Sequence, residues 1–382
     1  MTTDKRIIPI ALPSVGEEEW LATRDVFMSG WLTQGPKVKE FESKFAQFHG
    51  ANFGIATTSC TTGLHLALEA MGIGEGDEVI VPAFTWVSTA NAVLYTGAKP
   101  IFADVSLKTN NIDVEGLKNL RTAKTKAIIP VHLFGLCADV DAIKAELPGV
   151  KILEDCACAA GAKYKGRFAG TLGDVGAFST HPRKSITTGE GGVLTTNSLG
   201  LAEKMDCLRN HGSSVSEEQR HVGPKPYLLA DFNEIGFNYR MTDFQGAIGT
   251  VQLSKLDQFI NERSKWANYY SEAFSDISWL ITPEVPDGWR HAWQAYVCYV
   301  DPAKSPIPRN ELMEILQQKG ISTRPGTHAV HNLGIYKKLY GFNSQSFPNA
   351  YLCDQQTLAI PLHNRMSKED FDYVIQAIKE IS

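Results

Sequence analysis

The sequence is short of the features that mark several protein classes. No apolar run approaches the roughly 18 residues of a membrane span. The opening stretch, MTTDKRIIPIALPSVGEEEW, has no long apolar core of the kind a secretory signal carries. No basic run interleaved with aromatics occurs, and a net charge of −5 with a pI near 6.1 argues against a nucleic-acid partner. Cysteines number seven (Cys60, Cys137, Cys156, Cys158, Cys207, Cys298, Cys353), scattered in apolar or helical contexts, which reads as reduced thiols in the cytoplasm. Cys156 and Cys158 stand too close together for the usual zinc spacing and no second pair follows, so no metal is expected. There is no G-x-x-x-x-G-K-[ST] loop, no internal repeat and no low-complexity tract.

What is present is a chain of 382 residues, 43% hydrophobic and 21% charged, long enough for one large core and a smaller domain. Its first part alternates helix and strand. EEEWLATRDVFMS, KVKEFESKFAQFHG and TTGLHLALEAMG carry helical periodicity. DEVIVPA, KPIFADV, TKAIIPVHLFG and VKILEDCA read as buried strands, and WVSTANAVLYTG, DVEGLKNL and ADVDAIKAEL as the helices between them. Continuous apolar strands separated by helices predict an α/β fold, with a mostly parallel sheet covered on both faces. From Met241 a long helix is expected, possible bend at Gly249, leading into a smaller α+β part with strands at AWQAYVCYV and ISTRP. A final helix is signalled by Ser367 and Asp370, spaced as a capping box. The expected division is 1–250 for the large domain and 251–382 for the small one.

In such sheets ligands sit beyond the carboxyl ends of the strands. Four features fall there. The hydroxyl-rich TTSCTTGLHLAL opens a helix, which offers free N–H groups and a positive dipole end to a phosphate, though Ser and Thr also serve as ordinary caps. ILEDCA ends an apolar strand in two carboxylates, Glu154 and Asp155, on opposite faces; a buried carboxylate needs a partner, and a salt bridge or cap would supply one. FSTHPRKSITTGEGG holds Lys184, a solvated loop charge or an amine able to form a Schiff base. VPAFTWVSTA places Trp86 where it could fill core or lie flat on an aromatic ligand. Jointly, a phosphate cradle, an end-of-strand carboxylate, a post-strand lysine and an aromatic platform are the parts a pyridoxal phosphate (PLP) site needs.

These stretches, with GWLTQGPKVKEFE, GAKPIFADV, LEDCACAAGAKYKG, GTLGDVGAFSTHPRKSITTGEGG, GFNYRMTDFQGAIGTVQL and GISTRPGTHAVH, resemble the DegT-like sugar aminotransferases, a fold-type I PLP family that includes GDP-perosamine synthase. The resemblance runs over nearly the whole chain. It implies that Lys184 is the Schiff-base lysine, Asp155 the partner of the pyridine nitrogen and Trp86 the ring-stacking residue. It puts Thr61, Thr62 and Ser179 at the cofactor phosphate, with Asn238 reaching into that phosphate site from the other subunit of a homodimer with shared active sites. Cys158 falls near the ring, and Arg324 and His331 border the sugar pocket. The implied activity is transfer of an amino group from an amino acid such as glutamate, through the PLP and pyridoxamine phosphate (PMP) forms, to a nucleotide-linked 4-keto-6-deoxyhexose. The product would be a 4-amino sugar for bacterial surface polysaccharide such as O-antigen.

Departures from the family pattern bear on the substrate. Cys60 replaces a usual Gly, Cys158 a usual Gln, Glu or His, and Gly326 and Thr327 replace bulkier residues. Smaller side chains at 326 and 327 would admit a larger sugar, for instance an N-acetylated one, and 3-keto acceptors remain an alternative. A PMP-dependent dehydratase is disfavoured because such relatives lack the lysine. A non-catalytic PLP-fold regulator is disfavoured because every expected catalytic position is filled.

Overall fold

The computed structural model describes residues 6–215, 227 and 229–381. Seven strands build the main sheet: β1 (Phe53–Thr57), β2 (Glu78–Pro82), β3 (Lys99–Ala103), β4 (Thr125–Ile128), β5 (Lys151–Asp155), β6 (Val175–Ser179) and β7 (Gly192–Thr196). Their order is β1-β7-β6-β5-β4-β2-β3. Pairs β2–β3, β2–β4, β4–β5 and β5–β6 are parallel, whereas β7 runs antiparallel to both β1 and β6. The two reversals cancel, so β1, β2, β4, β5 and β6 all point the same way. Their carboxyl ends share one edge. The apolar strand runs are buried as expected, β6 and β7 along their whole length.

Strand β7 is the main surprise of the sheet. GVLTT follows TTGEGG, whose glycines in sequence read as flexible chain near the mouth of the site. That stretch is instead a pinned turn. Thr187 and Thr188 are buried, the Thr188 N–H donates to the Thr180 carbonyl, and the Thr187 hydroxyl donates to the same carbonyl. Gly189 and Gly191 take left-handed and near-extended positive φ angles of 85° and 152°, which let the chain reverse. Gly192 then passes so close to the start of the helix Cys60–Ala70 that a Cβ would lie 2.6 Å from the Cys60 nitrogen.

Helices α1 (Glu17–Ser29), α2 (Pro36–His49) and α3 (Cys60–Ala70) fall within a residue or two of the apolar periodicity. The long helix Asp243–Ala273 is continuous through Gly249. Glycines at 246 and 249 serve packing rather than bending: side chains there would meet the backbone of Lys37 and Val38 and the ring of Phe41. Asp243 caps α2 from outside, accepting the N–H groups of Gly35, Lys37 and Val38. The expected division at residue 250 falls inside this helix. Its Leu253–Ile260 segment packs with the main sheet's core, and Ala267 and Tyr270 pack with a separate cluster around Trp279, Tyr296 and Phe371.

That second cluster lies with a three-stranded antiparallel sheet of Leu280–Ile281, Tyr296–Val300 and Thr357–Ile360. Ser367 and Asp370 form the expected capping box of helix Lys368–Lys379. Three elements differ from expectation. Helix DVEGLKNL shrinks to Leu117–Leu120, because Gly116 sits in the left-handed region at φ 86°. The TKAIIPVHLFG strand stops at Ile128, ahead of Pro130, which has no N–H to give a ladder. ISTRP forms no strand, only single bridges from Ile321 to Ile8 and from Arg324 to Ala359. The following residues His328–Ala329 pair instead with Phe84–Thr85, just ahead of Trp86.

Candidate active site

The shared carboxyl edge gathers the residues singled out above. After β1, Ser59 caps α3: its hydroxyl accepts the Thr62 N–H at 3.1 Å, and the Thr62 hydroxyl accepts the Ser59 N–H at 3.0 Å. Thr62 thus shapes the cradle. Thr61 makes no side-chain hydrogen bond among the described residues, and of the first-turn N–H groups of α3 those of Cys60 and Thr61 have no acceptor there. Across the cradle, the Ser179 hydroxyl at the end of β6 accepts the His181 N–H at 3.3 Å, which leaves its own hydrogen to give. These groups fit a phosphate.

Asp155 ends β5 in near-complete burial. Its Oδ2 accepts the Thr89 hydroxyl at 2.8 Å and its Oδ1 the Ala157 N–H at 3.1 Å. Burial raises its pKa above the ordinary aspartate value, and the Thr89 hydroxyl is the strongest contact opposing that rise. Lys184 lies within the electrostatic reach of Asp155, and its Nζ donates to the Cys158 sulfur at 3.2 Å. Burial pulls the free ammonium down, but the Cys158 thiol, then Cys60 and Asp155, outweigh it, and its pKa stands above the usual lysine value. Trp86 is 59% exposed, with the His328 ring 5.4 Å away at a tilt of 42°. An amine, a buried acid and an open indole face within one cleft match the aldehyde, ring nitrogen and ring of PLP.

Glu154, the neighbouring carboxylate, is engaged elsewhere. The Ala138 N–H donates to His132 Nδ1 at 2.9 Å, so the His132 proton is on Nε2, which donates to Glu154 Oε2 at 2.8 Å. The N–H groups of Gly170, Leu172 and Gly173 fill the remaining positions on that carboxylate. The ligand atoms of His132, Glu154 and Cys156 lie within 4.8 Å of one another, but the lone pairs of His132 and Glu154 are spent on these hydrogen bonds rather than offered to a cation.

At the expected sugar side the structure changes the picture. His331 is fully buried, its ring 4.9 Å from that of Phe347, with neither nitrogen hydrogen-bonded among the described residues. Burial lowers its pKa, so it packs as a neutral ring. The exposed histidine of this stretch is His328. Arg324 is exposed and donates to the Thr323 carbonyl at 2.7 Å. Gly326 does not widen a pocket, because a Cβ there would lie 2.7 Å from Thr357 Oγ1 and 2.9 Å from Phe134 Cζ. Asn238 is exposed, and the carbonyl of the next residue, Tyr239, accepts the Thr58 N–H at 3.0 Å. Thr89 and His328 escaped the sequence reading. The one available signal for Thr89 was its position three residues after Trp86 on a helix, which puts both on one face.

Comparison with known proteins bears on the whole chain. Residues 13–379 match the profile of the DegT/DnrJ/EryC1/StrS aminotransferase family. The chain belongs to this family and is a PLP-dependent aminotransferase of fold type I. The spore coat polysaccharide biosynthesis protein SpsC of Bacillus subtilis is 42% identical over 377 residues, covering 98% of this chain and 97% of SpsC. The aminotransferase TlmJ of Streptoalloteichus hindustanus superposes with a TM-score of 0.89 at 31% identity, over 98% of each chain. Spr1654 of Streptococcus pneumoniae, assigned as a sugar aminotransferase and solved in PLP and PMP forms, gives 0.91 at 28% identity, also over 98% of each chain.

Proposed function

We propose that the enzyme is a sugar aminotransferase that moves an amino group from an amino acid, glutamate in this reading, to a nucleotide-linked 4-keto-6-deoxyhexose. The product is a 4-amino sugar for bacterial surface polysaccharide. The observation that carries the chemistry is the amine of Lys184 beside the end-of-strand acid Asp155. A sugar acceptor is supported by the polysaccharide role in the name of SpsC and by the assignment of Spr1654. When bound, PLP supplies an aldehyde that takes up amines and a protonated ring that accepts electrons. Lys184 Nζ would hold that aldehyde and, when free, would carry the proton from the donor Cα. Asp155 keeps a proton on the ring nitrogen. Trp86 covers one face of the ring, with Cys158 beside it. Thr61, Ser179 and the first-turn N–H groups of α3 grip the phosphate, and Thr62 holds the cradle in shape. Arg324 and the His328–His331 stretch border the sugar side. The seven free cysteines suit a reducing compartment, and we place the reaction in the cytoplasm.

The test is kcat/KM for 4-keto and 3-keto nucleotide sugars, side by side, with glutamate as donor. Preference for the 4-keto compound is expected. Preference for the 3-keto compound, or for a sugar without a nucleotide, would overturn the regiochemistry and leave aminotransfer standing.

A homodimer with shared sites completes the reading. Exposed Trp20, Phe27, Met28, Leu229 and Ile235 are apolar surface of the kind a partner subunit covers, and Asn238 lies close in sequence to Ile235. Chains with Lys184→Ala or Asn238→Ala should each be inactive or nearly so. Mixed, they should regain up to half of wild-type activity, since one site of each heterodimer then carries neither lesion. No recovery despite demonstrated subunit exchange would argue against sharing.

A further inference from the structure

Asp155 is served by two hydroxyls in series. Thr89 and Thr85 are both buried, at 0% and 1% exposure. The Thr89 Oγ1 stands 2.8 Å from Asp155 Oδ2 and 3.1 Å from the Thr85 Oγ1. A carboxylate only accepts, so Thr89 spends its single hydrogen on Asp155. Its oxygen can then take the single hydrogen of Thr85. The result is a directed chain, Thr85 to Thr89 to Asp155, in which each bond polarises the next. A proton on Asp155 Oδ2 would have to reverse it. Thr85 is itself fixed, because Phe84–Thr85 is hydrogen-bonded as a strand to His328–Ala329. Thr89 lies one helical turn beyond Trp86, so a single helix sets both the indole and the donor to the acid.

We propose that the Thr85–Thr89 hydroxyl pair is a positioning relay that keeps Asp155 ionised and aimed at the pyridine nitrogen of PLP. The inference rests on the reading of Asp155 as the partner of that nitrogen. Loss of the donor leaves burial unopposed at one oxygen, so the carboxyl protonates at higher pH and can no longer hold a protonated ring.

The experiment measures PLP affinity by absorbance titration of the full-length apoenzyme, from the alkaline to the acid side of neutrality. Thr89→Val keeps the shape and removes the hydroxyl; Thr89→Ser keeps the hydroxyl and removes the methyl. Thr89→Val should weaken PLP binding roughly tenfold or more at acid pH and less at alkaline pH, moving the acid limb upward, since hydrogen bonds to charged groups are worth about that factor. Thr89→Ser should track wild type, which a purely structural role would not give. If Thr89→Val does not fold, Thr85→Val carries the same test with a smaller shift in the same direction. An unmoved acid limb in the Val variant, or a Ser variant as weak as Val, overturns the relay. Asp155→Asn separates the two readings: if it leaves affinity and acid limb as in wild type, the role of Asp155 falls and the relay with it. If it weakens binding while the threonine variants do not, only the relay falls.

Discussion

Glu154 and Asp155 are adjacent on β5, equally apolar in their surroundings and buried to 0% and 3% exposure, yet they face different worlds. Glu154 receives four donors: His132 Nε2 and the N–H groups of Gly170, Leu172 and Gly173. Asp155 receives two, from Thr89 and Ala157. Burial alone does not separate a structural carboxylate from a chemical one; the count and kind of donors does. Four donors fix Glu154 as a knot tying β5 to the 170–173 turn and to the segment after β4. Two donors leave Asp155 lone pairs to spare, with Lys184 within electrostatic reach.

The comparison is broken hardest at Asp155. Asp155→Asn should keep the fold and lower kcat by a hundredfold to ten-thousandfold, about 2.7–5.5 kcal/mol of barrier, because an amide does not hold a ring proton. Thermal melting beside single-turnover kinetics checks both halves. Near-wild-type rates would shift the role away from Asp155. Glu154→Gln should show the reverse pattern. Its NH2 would face N–H donors, and the folded state should lose about 1.5–3 kcal/mol, the range for a hydrogen bond to a charged group. Denaturant unfolding reads that loss, and the fraction that stays folded should turn over within about threefold of wild type if the effect is on folding alone. A Glu154→Gln enzyme of full stability and no activity would exchange the two assignments.

How much of this was legible beforehand depends on how local each signal is. Strand ends are local, and Asp155 and Lys184 stand out because a charge terminates an apolar run or follows one. The 3.6-residue periodicity placed α1 to the residue and the long helix to within two. Thr89 was invisible because its meaning lies in an acid 66 residues away. β7 was hidden for a related reason: its partners, β1 and β6, are fixed only when the Gly189–Gly191 turn reverses the chain. Gly326 was misread because a glycine in sequence looks like vacant room, whereas Phe134 and Thr357 occupy it from distant segments. His331 was taken as pocket-facing from its motif, and only the packing of Phe347 shows it turned inward.

The insertion of β7 between β1 and β6 also sets an order of events in time. β1 is an edge strand whose one ladder among the described residues is with β7, so Phe53 waits for Thr196 before it has a neighbour. The cradle that opens α3 hangs on β1. During synthesis the helix-forming segments and the parallel strands β2 to β6 emerge earlier and pair with near neighbours, at low loop-closure cost. The phosphate-gripping loop is among the first parts translated, yet the strand it hangs on pairs only once Gly192–Thr196 has been made. Its place is therefore held open until the chain beyond Lys184 has been synthesised.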